Sequence, residues 1–151
     1  MESLFSKIDS LIQRAGFAVI CVSAEPGKPP FSYTVGLTET FECAELMIFG
    51  VGQEAAMPAI HTIVDRIRGG KRFTDGDMLE QVFNFPCSVK AVSSEAALEY
   101  ALNVAARYEG NIQGPTFLQI VYPDQAGAFP WEISYSESMR PIQLELWRSL
   151  H

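Results

Sequence analysis

Two β-rich runs, residues 17–23 (FAVICVS) and 31–37 (FSYTVGL), flank the segment Glu25-Pro26-Gly27-Lys28-Pro29-Pro30. This arrangement constrains the fold more than any other feature of the chain. Proline fixes φ and glycine admits φ > 0, so the segment reads as a tight reversal, and two strands joined by so short a link pair as an antiparallel hairpin. An early hairpin excludes the strict strand–helix alternation of a doubly wound parallel sheet. The first run is apolar almost throughout, as expected of a strand covered on both faces, whereas the second alternates.

Three further strands are expected at residues 45–50 (ELMIFG), at Cys87–Val92 after Pro86, and at residues 116–122 (TFLQIVY). Leu4, Phe5, Ile8, Leu11, Ile12 and Ala15 recur at spacings of three and four and predict an opening helix that Gly16 ends. Ile60, Ile63, Val64 and Ile67 form the stripe of a second helix, stopped by Gly69-Gly70. Pro58 places the start of that helix near residues 55–57, because a proline fits the first turn. Ser93 or Ser94 caps a third helix, with Glu95 in its first turn and Leu98, Leu102 and Ala105 facing the core. Gly110 and Gly114-Pro115 break the chain before the last strand. The order α, β, β, β, α, β, α, β predicts an α+β fold: a largely antiparallel sheet of about five strands that can roll into a partial barrel, with about three helices.

At 151 residues with 48% hydrophobic content, residues 1–151 read as a single globular domain that buries roughly two-thirds of its unfolded-chain surface without disulfides or metal. Asp plus Glu number 18 against 11 Lys plus Arg, a net charge of −7, which argues against nucleic acid as a partner. Cys21, Cys43 and Cys87 are dispersed and odd in number, as expected in a reducing cytoplasm. Glu2, Lys7, Asp9 and Arg14 interrupt the first fifteen residues, so no signal peptide is expected there. No apolar run reaches the roughly 20 residues a membrane span needs.

Candidate chemistry is sparse. His61 and the terminal His151 are the two histidines, too few with isolated thiols to suggest a metal site. A dyad of His61 with one of the thiols is conceivable, but Asp65 four residues on suggests a helix-surface pair instead. No phosphate-binding loop motif occurs. Arg66, Arg68, Lys71 and Arg72 form the one electropositive cluster. It can hold an anionic ligand, or complement the dipole at a helix end, which is the more routine role. Along the second strand Ser32, Thr34 and Thr38 fall on one side with Tyr33 and Val35 on the other, and Gly36 permits a bulge or the close approach of a ligand. Such a hydroxyl row either serves a ligand or lines a solvated face. Trp131 and Glu132 follow a turn at residues 123–127, where an aromatic cluster either plugs the core or lines a pocket.

Gly16-Phe17-Ala18-Val19, the Pro29-to-Leu37 block, Arg72-Phe73 with Gly76-Asp77, and Pro123-Asp124 with Gly127 and Phe129-Pro130-Trp131 resemble the bacterial family called domain of unknown function 4262. The resemblance spans nearly the whole chain and implies a bacterial, cytosolic, single-domain protein, without an activity or cofactor. The expected function is a non-catalytic binding or interaction module, for a protein with a basic surface or for a small, anionic ligand. The alternative is a flavin or nucleotide binder with a split-barrel-like sheet. Its phosphate would lie between the Ser32-to-Thr38 strand and the Arg66-to-Arg72 cluster, and its ring near Tyr33 or Trp131. A thiol enzyme using Cys87 or Cys43 with His61 is the third expectation.

Overall fold

The computed structural model describes residues 3–109 and 114–150; Glu2, Gly110 and His151 lie outside them. The elements are α1 (Leu4–Ala15), β1 (Ala18–Val22), β2 (Phe31–Val35), α2 (Leu37–Phe41), β3 (Glu45–Phe49), α3 (Gln53–Arg68), β4 (Met78–Leu79), β5 (Cys87–Val92), α4 (Ser94–Leu98), α5 (Leu102–Arg107) and β6 (Phe117–Val121). Two 3-10 turns, Glu137–Met139 and Leu146–Ser149, follow.

The predicted hairpin forms, with Val22 opposite Phe31 and Ala18 opposite Val35. The α+β class holds, but the sheet is mixed and has six strands in the order β1-β2-β3-β6-β5-β4. Four pairings are antiparallel and β3 runs parallel to β6. Among the described residues β1 and β4 are its two edges. Five helices replace the expected three, because α2 occupies a stretch read as the continuation of a strand and the third helix is split into α4 and α5.

The sheet has two ends. One carries Val35, Glu45, Phe117 and Val92; the other carries Val22, Phe31, Phe49 and the hairpin loop. Alternation along the strands gives it two apolar faces. Leu46, Ile48, Val89, Leu118 and Ile120 pack with Ile60, Ile63, Val64 and Ile67 of α3. On the other face Tyr33, Val35, Met47, Phe49 and Val121 pack with Ile8 and Ile12 of α1, Ala97 of α4, Val104 of α5 and Trp147. No helix among the described residues is long and apolar enough to cross a membrane.

Local signals explain the helix ends. Gly16 closes α1 in the left-handed region, and Ser93 Oγ accepts from Ala96 N to cap α4. Two expectations fail at helix faces. In α1 only Ile8 and Ile12 are buried, with Leu4, Phe5 and Leu11 exposed, and in α5 Leu102 is 64% exposed while Val104 is buried. Helix α3 begins at Gln53, so Pro58 lies inside it. The carbonyl left without its N–H partner is that of Glu54, in an exposed first turn where water can satisfy it.

Gly36 joins β2 to α2 with φ 108°, and a Cβ there would lie 2.8 Å from Cγ1 of Ile12. Replacing Gly36 by Ala therefore forces both a strained backbone and a clash with a buried side chain, at an expected cost of about 2 kcal/mol or more in urea unfolding. Gly27, whose Cβ would meet nothing within 4 Å at φ 75°, serves as control and should lose less on replacement by Ala. Equal losses would contradict the account of Gly36.

Candidate functional site

Glu45 opens β3 and is fully buried. Its Oε1 accepts hydrogen bonds from Thr34 Oγ1 (2.8 Å) and Leu37 N (3.1 Å), and its Oε2 from Thr38 N (2.9 Å) and Thr38 Oγ1 (2.7 Å). Thr34 Oγ1 in turn accepts from Leu46 N (2.9 Å). A strand carboxylate thus caps the first turn of α2, whose N-cap residue Gly36 has no side chain to do so. Among the described residues Glu45 has no ion pair. Burial pushes its carboxyl above the ordinary glutamate value of 4.5, while the donors of Thr38, Thr34 and Leu37 pull it back.

The hydroxyl row is thereby resolved. Thr34 and Thr38 are committed to Glu45, and Thr38 sits in α2, not on a strand, because the chain turns at Gly36. Tyr33 is buried on the opposite face, its hydroxyl accepting from Asn103 N (3.2 Å) and Nδ2 (2.9 Å). Gly36 is approached by Ile12. Ser32 is the exception: it is 1% exposed, yet its hydroxyl has no hydrogen-bond partner among the described residues.

The three arginines of the cationic cluster are spent on main-chain carbonyls. Arg66 Nη2 donates to Glu80 O (2.6 Å), and Arg68 Nη2 donates to Ala15 O (2.7 Å) at the end of α1. Arg72 donates through Nη1 to Ile67 O (3.0 Å) and Lys71 O (2.9 Å), and through Nη2 to Phe41 O (2.9 Å) at the end of α2. Arg68 also lies 5.3 Å from the Phe41 ring centroid, and Lys71 lies 5.5 Å from that of Phe73. These groups answer the orphan carbonyls of three helix ends.

Trp131 stacks on Phe129 at 5.0 Å, meets Trp147 edge-on at 6.1 Å and carries Lys90 5.3 Å above its ring. Glu132 accepts from Phe129 N (3.0 Å) and closes the turn. These contacts place Trp131 against the α4 and α5 side of the sheet, on the other face from the cations of α3. His61 tilts against Phe17 at 5.0 Å and makes no ion pair with Asp65, a correction to the expected helix-surface pair. Burial pushes the Cys87 thiol up to about 12 and raises that of Cys43, so both stay protonated near neutral pH. Among the described residues no group of three or more His, Cys, Asp and Glu gathers as a metal site would require.

An aromatic-lined concavity was invisible in the sequence. At the hairpin end a cavity of about 650 Å³ is lined by Val22, Phe31, Phe49, Tyr100, Leu102, Pro141 and Leu144, with Glu25, Lys28 and Glu99 around it. Phe31 and Phe49 stack at 5.3 Å, and Tyr100 stands edge-on to both, at 5.6 and 5.1 Å. These rings come from β2, β3 and the α4–α5 junction, so no spacing links them. The C-terminal segment walls the cavity, held by Gln143, whose Oε1 accepts from Tyr122 N (2.9 Å) and whose Nε2 donates to Tyr122 O (2.9 Å).

Fold and cavity together define a small α+β protein with a mixed, open sheet, helices on both faces and an aromatic-floored concavity at one sheet end. Residues 11–136 match the family model described as domain of unknown function (DUF4262), and the chain belongs to that family. No curated protein and no solved structure matches it.

The sign of the pH dependence at Glu45 is fixed by its raised value. The folded state holds the proton to higher pH than the unfolded chain does, so the contribution of Glu45 to stability is greatest at low pH and falls as pH climbs from 4.5 through the folded value. In urea unfolding across pH 4 to 8, wild type minus Glu45→Gln should therefore decline with rising pH over that window. A difference that rises with pH would contradict the burial-dominated picture.

Proposed function

We propose that the protein is a non-catalytic binding module for a small molecule with a flat, apolar or aromatic body, seated in the hairpin-end cavity. The observation that carries this reading is the ring cluster of Phe31, Phe49 and Tyr100 facing a cavity of about 650 Å³. That volume is within the roughly 300–1,000 Å³ usual for ligand sites, and a mostly apolar lining with a few polar groups is the usual composition. Among the described residues the Tyr100 hydroxyl has no partner, so it can orient a polar edge of the ligand. Glu25, Lys28 and Glu99 at the rim offer both signs of charge.

A flavin or nucleotide is one form such a ligand can take. The aromatic floor supports it; the Arg66-to-Arg72 cluster does not, because its guanidinium groups already answer carbonyls. A basic protein partner has support only from the net charge of −7, and the cavity is the more specific feature. Three free thiols support a reducing, cytoplasmic setting.

Thermal unfolding in the presence of aromatic fragments, nucleosides and flavin mononucleotide tests the reading. Leu102→Trp fills the cavity from an exposed position and should leave the fold intact. A ligand at about 100 times its Kd should raise the wild-type Tm by roughly 5–10 °C and leave that of Leu102→Trp unchanged. A wild type that responds to no compound, or a variant that responds equally, would overturn it.

A further inference from the structure

We infer that a second, smaller site, at the start of α3 on the other face of the sheet, binds a phosphate monoester. Helix α3 is 16 residues long, and its N-cap, Gly52, offers no side chain. The N–H groups of Gly52, Gln53 and Glu54 have no protein acceptor among the described residues, since the Gly52 carbonyl serves only Ala55 N (3.2 Å) and Ala56 N (3.0 Å). Free N–H groups and the positive end of the helix dipole favour an oxyanion there.

An independent observation points to the same place. Ser32 is 1% exposed and its Oγ makes no hydrogen bond with any described residue, yet Ser32 lines the cavity that Gly52 and Gln53 also line. Register explains the aim: Ser32 pairs with Cys21 and Ile48, and Ile48 packs against α3, so the hydroxyl lies on the face beneath the helix start. Among the described residues no buried side-chain oxygen or nitrogen lacks a partner, so the little accessibility Ser32 keeps lies at its hydroxyl in this cavity, where water or a ligand oxygen is the acceptor or donor it meets. The cavity measures about 310 Å³ and is also lined by the polar Ser23 and by apolar groups such as Pro30 and Val51. Space beyond one phosphate group suits the carbon body of an ester. No Lys or Arg lines this cavity, so the phosphate is held by neutral donors and the dipole, against the nearby charge of Glu54 in the first turn.

This site shares Val22 and Ser23 with the lining of the aromatic cavity but lies on the opposite face of the sheet, and each proposal stands or falls alone. Calorimetric titration with glycerol phosphate, inorganic phosphate and acetate at matched ionic strength tests it. Glycerol phosphate should bind saturably and more tightly than the other two. Ser32→Ala should weaken it about tenfold or more, as expected for loss of a hydrogen bond to a charged group, and Glu54→Gln should strengthen it. Gly52→Asp is the sharpest variant. Gly52 has φ −75° and ψ 171°, and a Cβ there meets nothing within 4 Å. Aspartate would cap the helix itself, abolishing binding while raising the Tm of the ligand-free protein. Equal binding of glycerol phosphate and inorganic phosphate would overturn the ester assignment. No binding, or binding that survives both Ser32→Ala and Gly52→Asp, would overturn the site.

Discussion

A carboxylate without a counter-charge organises one end of this protein. Glu45 is taken wholly out of water, a step that costs several kcal/mol unless hydrogen bonds replace those lost. Four donors from Thr34, Leu37 and Thr38 offset part of that cost, burial remaining the larger effect, and they tie β2, α2 and β3 into one unit. Hydrogen bonds to a charged acceptor contribute about 1.5–3 kcal/mol each, and removing a single donor leaves a buried oxygen under-satisfied. The position of α2 then sets its surroundings. Its terminal carbonyl, Phe41 O, receives Arg72, and its Glu39 receives Arg107 through both carboxylate oxygens (2.6 and 3.1 Å). Arg107 holds the Glu39 carboxyl below the usual range.

Under the proposed function, structure and recognition occupy opposite ends of the sheet. At the Glu45 end, polar side chains are consumed by helix caps and carbonyl staples. At the hairpin end, two concavities on opposite faces are lined by hydroxyls that have no protein partner among the described residues, those of Tyr100 and Ser32. Several of the residues that carry the family resemblance act as joints. Gly16 ends a helix, Gly36 turns the chain beside Ile12, Arg72 staples two helix ends, and Asp124 accepts from Ala126, Ala128 and Ser136.

What could be read from the sequence was local. The hairpin between β1 and β2, the bounds of β5, the Gly16 stop and the Ser93 cap all follow from residues within a few positions of one another. The failures are long-range. Thr38 was assigned to a strand face because period two was carried past Gly36, and only the packing of Ile12 and the capping by Glu45 reveal the turn into α2. The parallel pairing of β3 with β6 joins segments some 70 residues apart (Glu45 with Phe117), and neither strand advertises its direction. The cations at residues 66–72 were rightly placed near a helix end, but their acceptors on α1 and α2 are distant in the chain. Ser32 was singled out for the right face, in company with threonines that serve Glu45 instead. The aromatic floor had no sequence signal beyond Phe31.

The central claim is that ligands enter at the hairpin end and not at the Glu45 end, where another concavity of about 460 Å³ is lined by Cys43, Arg72, Asp75 and Thr116. Residue-resolved amide NMR, recorded while a mixed set of aromatic fragments and phosphate esters is titrated in, reads this directly. The account predicts shift changes confined to residues 21–32, 49–54 and 99–102. Changes centred on residues 42–44, 72–75 and 116–118, with the hairpin end silent, would contradict it.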